Sequence, residues 1–143
     1  MSEENVEIVR KLYEEIAPML KAMSEGEIQA PTSELVDERI EWRGPREFPD
    51  LAEPLYGHEG IRRYMEKLSE AIEGYRMTPE EFVDAGGDQV LVFSREGGRG
   101  RGSGAEVITH PTAHLWTLRD GKAIRMQSYW ERPDALEAAG LSE

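Results

Sequence analysis

The residue best suited to chemistry in this chain is His114, which opens the stretch HLWTLRDGKAIRMQSYWERPDALEAAGL over residues 114–141. An imidazole titrates near neutrality, so it can take a proton from an enolisable ketone or a polyketide-like compound and return it. The plainer role for such a ring is to be satisfied by a backbone carbonyl and fill the sheet. Tyr13 and Tyr64 carry phenols able to donate a hydrogen bond to a carbonyl oxygen as charge develops on it. In an amphipathic stripe a tyrosine also serves simply as core, with its hydroxyl reaching water or a backbone acceptor. Trp42, Trp116 and Trp130 would give flat apolar walls suited to aromatic or polycyclic ligands. Alternatively they are three ordinary core residues.

Other chemistries are poorly served. The chain of 143 residues has no cysteine, which removes disulfides, thiolate metal sites and a cysteine nucleophile. His110 and His114 lie four residues apart. On a strand that is roughly 13 Å, too far for one metal ion, so no metal site is expected. His58 is expected at the surface, at the start of a helix. The run from Gly97 to Gly104 alternates Gly with Arg but lacks the Gly-Lys-Ser/Thr ending of a phosphate loop. It is read as a flexible hairpin connection. A net charge of −12, from 29 acidic and 17 basic residues, repels phosphate backbones and anionic lipid surfaces. Neither nucleic acid nor membrane is therefore an expected partner. No run reaches the ~18 apolar residues of a membrane span, and no basic-then-apolar leader opens the chain. The cytoplasm is the default location.

These side chains need elements to hold them. Asp120-Gly121 separates two alternating runs, the strongest short-range hairpin signal. His114 and Trp116 then share a face, as do Met126, Ser128 and Trp130 on the partner strand. His110 and Thr112 share the face of His114 unless Pro111 disturbs the pairing. A short helix follows from Pro133. Near the N-terminus Glu3 and Glu4 suit a helix start, and Val6, Val9, Leu12, Tyr13, Ile16 and Leu20 form one buried helical stripe. Pro18 should end or kink that helix. A short second helix is expected over residues 31–36, and a strand over residues 40–43. Residues 44–56, with three prolines, read as a long loop at a pocket rim. A helix from His58 buries Ile61, Tyr64, Met65, Leu68 and Ile72, with Gly74 as its stop. From Thr78 the period becomes strand-like, with a turn at residues 86–88 and a strand over residues 89–95. Helices first and antiparallel strands afterwards indicate a single α+β domain.

The chain resembles the SnoaL-like branch of the cone-shaped nuclear transport factor 2-like superfamily, which includes polyketide cyclases, and more distantly ketosteroid isomerase. The resemblance rests on Gly57-His58-Glu59-Gly60-Ile61, on Trp116 to Lys122 around the hairpin turn, and on Ala135 to Gly140 at the end. Met126-Gln127-Ser128-Tyr129-Trp130 is similar to the last strand of the isomerases. The resemblance implies a curved sheet around a cavity closed by the first helix, with Tyr13, Trp42, Tyr64, His114, Trp116, Met126 and Trp130 pointing into it. Counting back from the turn, His114 falls where the cyclases carry their acid/base aspartate, and Tyr13 falls near the isomerase oxyanion-hole tyrosine. Trp42 takes the place of the isomerase general base, so steroid isomerisation by that mechanism is not expected.

The expected protein is thus a cofactor-free cyclase, isomerase or dehydratase acting on a small apolar carbonyl compound. His114 and Tyr13 are its catalytic candidates; Trp42, Tyr64, Trp116, Met126 and Trp130 are its walls. The alternative is a non-catalytic module of the same fold that binds a small ligand or dimerises. The resemblance also implies a homodimer.

Overall fold

The computed structural model describes residues 2–29 and 34–141. Helix α1 (Ser2–Ser24) is followed by β1 (Val36–Arg43), a short α2 (Pro49–Ala52), β2 (Leu55–Tyr56) and α3 (Gly57–Ala71). Four strands then run in succession: β3 (Ile72–Gly86), β4 (Gln89–Gly100), β5 (Glu106–Arg119) and β6 (Lys122–Tyr129), before α4 (Arg132–Ala138). They form one six-stranded sheet in the order β2-β1-β6-β5-β4-β3. Every pairing is antiparallel except β1 with β6, which is parallel. This is the α+β nuclear transport factor 2-like fold.

The apolar stripe of α1 does what its spacing predicts, burying Val9, Leu12 and Tyr13 in one core with Val90, Val92 and Trp116 of the sheet. The helix does not end at Pro18 but runs on to Ser24. Pro18 has no N–H for the Glu14 carbonyl. Beyond it, however, Met19, Ala22 and Met23 are buried, and that packing holds the last turn in place. Helix α3 lays Ile61, Tyr64, Met65 and Leu68 into the same core. It stops at Ala71, so Ile72 caps it and opens β3, and Gly74 lies within that strand. The cause is tertiary: from Ile72 onward the backbone pairs with β4.

The expected loop over residues 44–56 contains α2 and the two-residue β2, which pairs with β1. Gly44 allows this local fold. A Cβ there would sit 2.6 Å from the Leu51 carbonyl oxygen, to which the Gly44 N–H donates at 2.8 Å. The strand at residues 40–43 begins earlier, at Val36. Residues 31–33 of the helix expected over residues 31–36 fall outside the described residues; Glu34 and Leu35 form a turn and Val36 is β-strand. His58 is partly buried rather than free at the surface, its Nε2 3.2 Å from the Val36 carbonyl.

The hairpin turn is as read. Asp120 has φ 52° and Gly121 φ 79°, both in the region that a two-residue turn with right-handed strand twist demands. Arg119 pairs with Lys122, and His114 and Trp116 face Ser128 and Met126. Strand β4 is longer than residues 89–95, extending into the Gly-Arg run. Gly97 pairs with Arg76 and Gly98 with Val107, leaving the turn at residues 101–103. Helix α4 lies on the other face of the sheet, burying Ala135 against Leu91, Ala113 and Leu115. No helix among the described residues is long and apolar enough to cross a membrane.

Candidate active site

Strands β4 and β5 assemble the polar centre. Alternation along β5 turns His110, Thr112, His114 and Trp116 toward one face, and their partners on β4 are Glu96, Ser94, Val92 and Val90. Pro111 does not disturb this register, for it pairs with Arg95; the ladder shifts only between Glu96 and Gly98. Helix α1 supplies Tyr13 from above.

These groups form a continuous buried chain. The Trp116 indole N–H donates to the Tyr13 hydroxyl oxygen at 3.0 Å. That oxygen is 2.5 Å from His114 Nδ1, and His114 Nε2 is 3.0 Å from Glu96 Oε2. The Thr112 hydroxyl donates to the same carboxylate oxygen at 2.5 Å and lies 2.7 Å from Ser94 Oγ. The Tyr75 hydroxyl donates to the other oxygen, Oε1. With a neutral imidazole protonated on Nε2, every member is satisfied: Tyr13 donates to Nδ1 and Nε2–H donates to the carboxylate. A proton added at Nδ1 reverses the bond to Tyr13. The chain can therefore hold or pass a proton inside the core.

Electrostatics agree with the geometry. Burial pushes the Glu96 carboxyl up, but when the His114 ring carries both protons its charge, with hydrogen bonds from His114, Thr112 and Tyr75, outweighs burial and holds the group at about 2. Burial pushes the Tyr13 phenol well above its ordinary value, only partly opposed by the Trp116 bond. Tyr64 and Tyr75 are pushed up by burial and then by the Glu96 charge. All three phenols thus remain protonated donors at neutral pH.

Two neighbouring chambers flank Glu96. The outer, of about 260 Å³, lies among Phe48, Leu51, Leu68, Gly98 and Trp130. The inner, of about 40 Å³, is bounded by Tyr13, Trp42, His114, Trp116 and Met126. Tyr64, Leu68, Tyr75 and Glu96 line both. A larger cleft of about 490 Å³ lies beside α4. Arg46 in its lining pairs with Glu47 and, at 3.2 Å, with Asp134, and none of its charged groups belongs to the buried chain.

A SnoaL-like domain family model matches residues 16–126. The chain belongs to this family. No curated protein matches the sequence. Among solved structures, TerC co-crystallised with polyporic acid is 26% identical at TM-score 0.67, covering 96% of this chain and 98% of that one. A nuclear transport factor 2-like protein from Burkholderia xenovorans is 27% identical at TM-score 0.65, over 97% of both chains. A candidate SnoaL-like polyketide cyclase from a Jannaschia species is 21% identical at TM-score 0.60, over 99% of this chain and 95% of that one. The last supports the fold alone.

Within this SnoaL-like domain, Tyr13, His114, Trp42, Trp116 and Met126 meet at the inner chamber, and Tyr64 reaches both. Trp42 and Trp116 pack edge to face with centroids 5.6 Å apart. The Trp42 indole N–H is buried without a partner among the described residues. Trp130 stands apart from them in the outer chamber. It packs edge-on to Phe48 at 5.1 Å and stacks on His110 at 3.8 Å, and His110 Nε2 lies 2.9 Å from the Trp130 carbonyl. The sequence reading missed Glu96 and Tyr75. The signal for Glu96 was present: Val90, Val92 and Ser94 alternate inward, and one further step along the strand reaches it. Tyr75 had no such signal, since its strand begins where a helix pattern was still running.

Proposed function

We propose that this SnoaL-like domain takes up a small, largely apolar carbonyl compound and moves a proton beside the carbonyl, in a cyclisation, isomerisation or dehydration. The observation that carries this reading is the buried Tyr13–His114–Glu96 chain opening onto an apolar chamber. The outer chamber, about 260 Å³, exceeds the ~150 Å³ of an apolar cavity able to take benzene. Aromatic walls favour a ring system, and the phenols offer hydrogen bonds to a carbonyl oxygen. The likeness to TerC, co-crystallised with polyporic acid, is a second support for a small organic ligand. The chemistry needs no cofactor, because the chain itself holds the proton.

The test is to incubate the protein in D₂O with a panel of aromatic and bicyclic ketones and follow loss of the α-proton signals by NMR. Exchange faster than in buffer is expected for ketones that bind, and breaking the chain at His114 should slow it. Tight binding across the panel with no acceleration would refute proton transfer and leave a binding module.

A further inference from the structure

Building on that proton-transfer reading, we infer that Glu96 is the group that touches the substrate as acid/base, that Tyr64 meets its carbonyl oxygen, and that His114 positions Glu96. The sizes of the chambers favour this over the reverse arrangement. His114 lines only the inner chamber, whose 40 Å³ holds about one water molecule. Both of its ring nitrogens are occupied, Nδ1 by Tyr13 and Nε2 by Glu96, so none is left to face a ligand.

Glu96 has what His114 lacks. It lines the outer chamber as well as the inner one, and it is the only Asp, Glu, Lys, Arg or His among the described residues of the outer wall. Its Oε2 accepts from His114 and Thr112, whereas among the described residues Oε1 accepts only from Tyr75. A carboxylate oxygen has two acceptor sites, which leaves one on Oε1 for a substrate C–H. Tyr64 completes the pair: it also lines both chambers, and its hydroxyl has no hydrogen-bond partner among the described residues. Its phenol is free to donate.

The step balances within these groups. Glu96 Oε1 takes the proton from the carbon beside the carbonyl. The C–H bond breaks, its electron pair passes into an enolate, and an O–H bond forms on Glu96. Tyr64 donates a hydrogen bond to the enolate oxygen without losing its proton. Glu96 then returns the proton to carbon. The groups facing Glu96 are Thr112 and His114 from β5, Tyr75 from β3, Tyr64 from α3 and, through His114, Tyr13 from α1. His114 and Thr112 hold the carboxylate in place. The substrate class follows: an enolisable ketone on an apolar ring system, since no Lys, Arg or His among the described residues of the outer wall waits for a carboxylate or phosphate.

The probe is 2-tetralone, a bicyclic ketone with acidic α-protons, with exchange in D₂O followed by NMR against pH. Glu96→Gln keeps the side chain's shape and should lower kcat about 100-fold with KM within about threefold of the wild type. Glu96→Asp, which retains charge but withdraws the oxygen by one methylene, should fall about tenfold. Tyr64→Phe should also lose about tenfold. His114→Gln should lose less than Glu96→Gln, and its acid limb should move to higher pH as the carboxylate loses its partner. Exchange within threefold of wild type in Glu96→Gln or Glu96→Asp would overturn the assignment while leaving proton transfer standing. So would a His114→Gln protein as inactive as Glu96→Gln. Wild-type exchange no faster than buffer would remove the proton-transfer reading and this assignment with it.

Discussion

Neutralising Glu96 should reveal how strongly the folded core holds that charge, independently of any substrate. The carboxyl is held at about 2 against an ordinary value of 4.5, which corresponds to about 3 kcal/mol favouring the ionised folded form. Because the folded value is the lower one, this stability is fully present above pH 4.5. It is lost as pH falls from there through about 2. Glu96→Gln mimics the protonated group at every pH, so urea titrations at a series of pH values isolate the effect. At pH 7 the variant should be less stable by up to about 3 kcal/mol, roughly 10 °C in Tm for a chain of this size. The gap should narrow steadily as pH drops below about 4.5, because the wild type then acquires the same proton. A gap that stays constant between pH 7 and pH 3 would refute the reasoning. The Glu96 charge would then be stabilised no better in the fold than in the unfolded chain, despite its three donors.

Three further outcomes follow from packing. Pro18 is exposed within α1, so Pro18→Ala should restore the bond to the Glu14 carbonyl and raise stability by about 1–3 kcal/mol; a lower Tm would count against this account. Gly44→Ala places a methyl group against the Leu51 carbonyl and the Tyr64 ring, and should cost about 1–3 kcal/mol in denaturant unfolding. A neutral outcome would mean that α2 yields easily. Trp42, 5% exposed between Tyr64 and Trp116, should cost about 3–5 kcal/mol when changed to Ala. It should also weaken ketone affinity through its shared wall with Tyr64, and an unchanged Kd would remove it from the binding wall.

Much of the fold was legible wherever a local rule fixes the backbone. Asp120-Gly121 announced its hairpin because positive φ at two successive positions suits few other residues. The stripes on α1 and α3 announced their buried faces because the helical period leaves only one apolar side. Where the reading failed, a non-local contact had overridden a local preference. α1 passes Pro18 because Met19, Ala22 and Met23 are buried beyond it. α3 gives way to strand at Ile72 because β4 lies alongside. The three prolines over residues 44–56 did not forbid α2, since Pro49 can open a helix without spending an N–H it needs.

The sequence by itself determined the candidates: a histidine on an inward strand face, two tyrosines on buried helical stripes and three large indoles, because residue type and period decide which side chains face inward. Only the tertiary structure decided their relations. Sheet register set Glu96 within 3.0 Å of His114 across 18 residues of chain, and helix packing brought Tyr13 to the same ring across 101. Trp130 was assigned to a different chamber from Trp42 and Trp116. Such distances depend on how elements stack in space, and no local periodicity contains them.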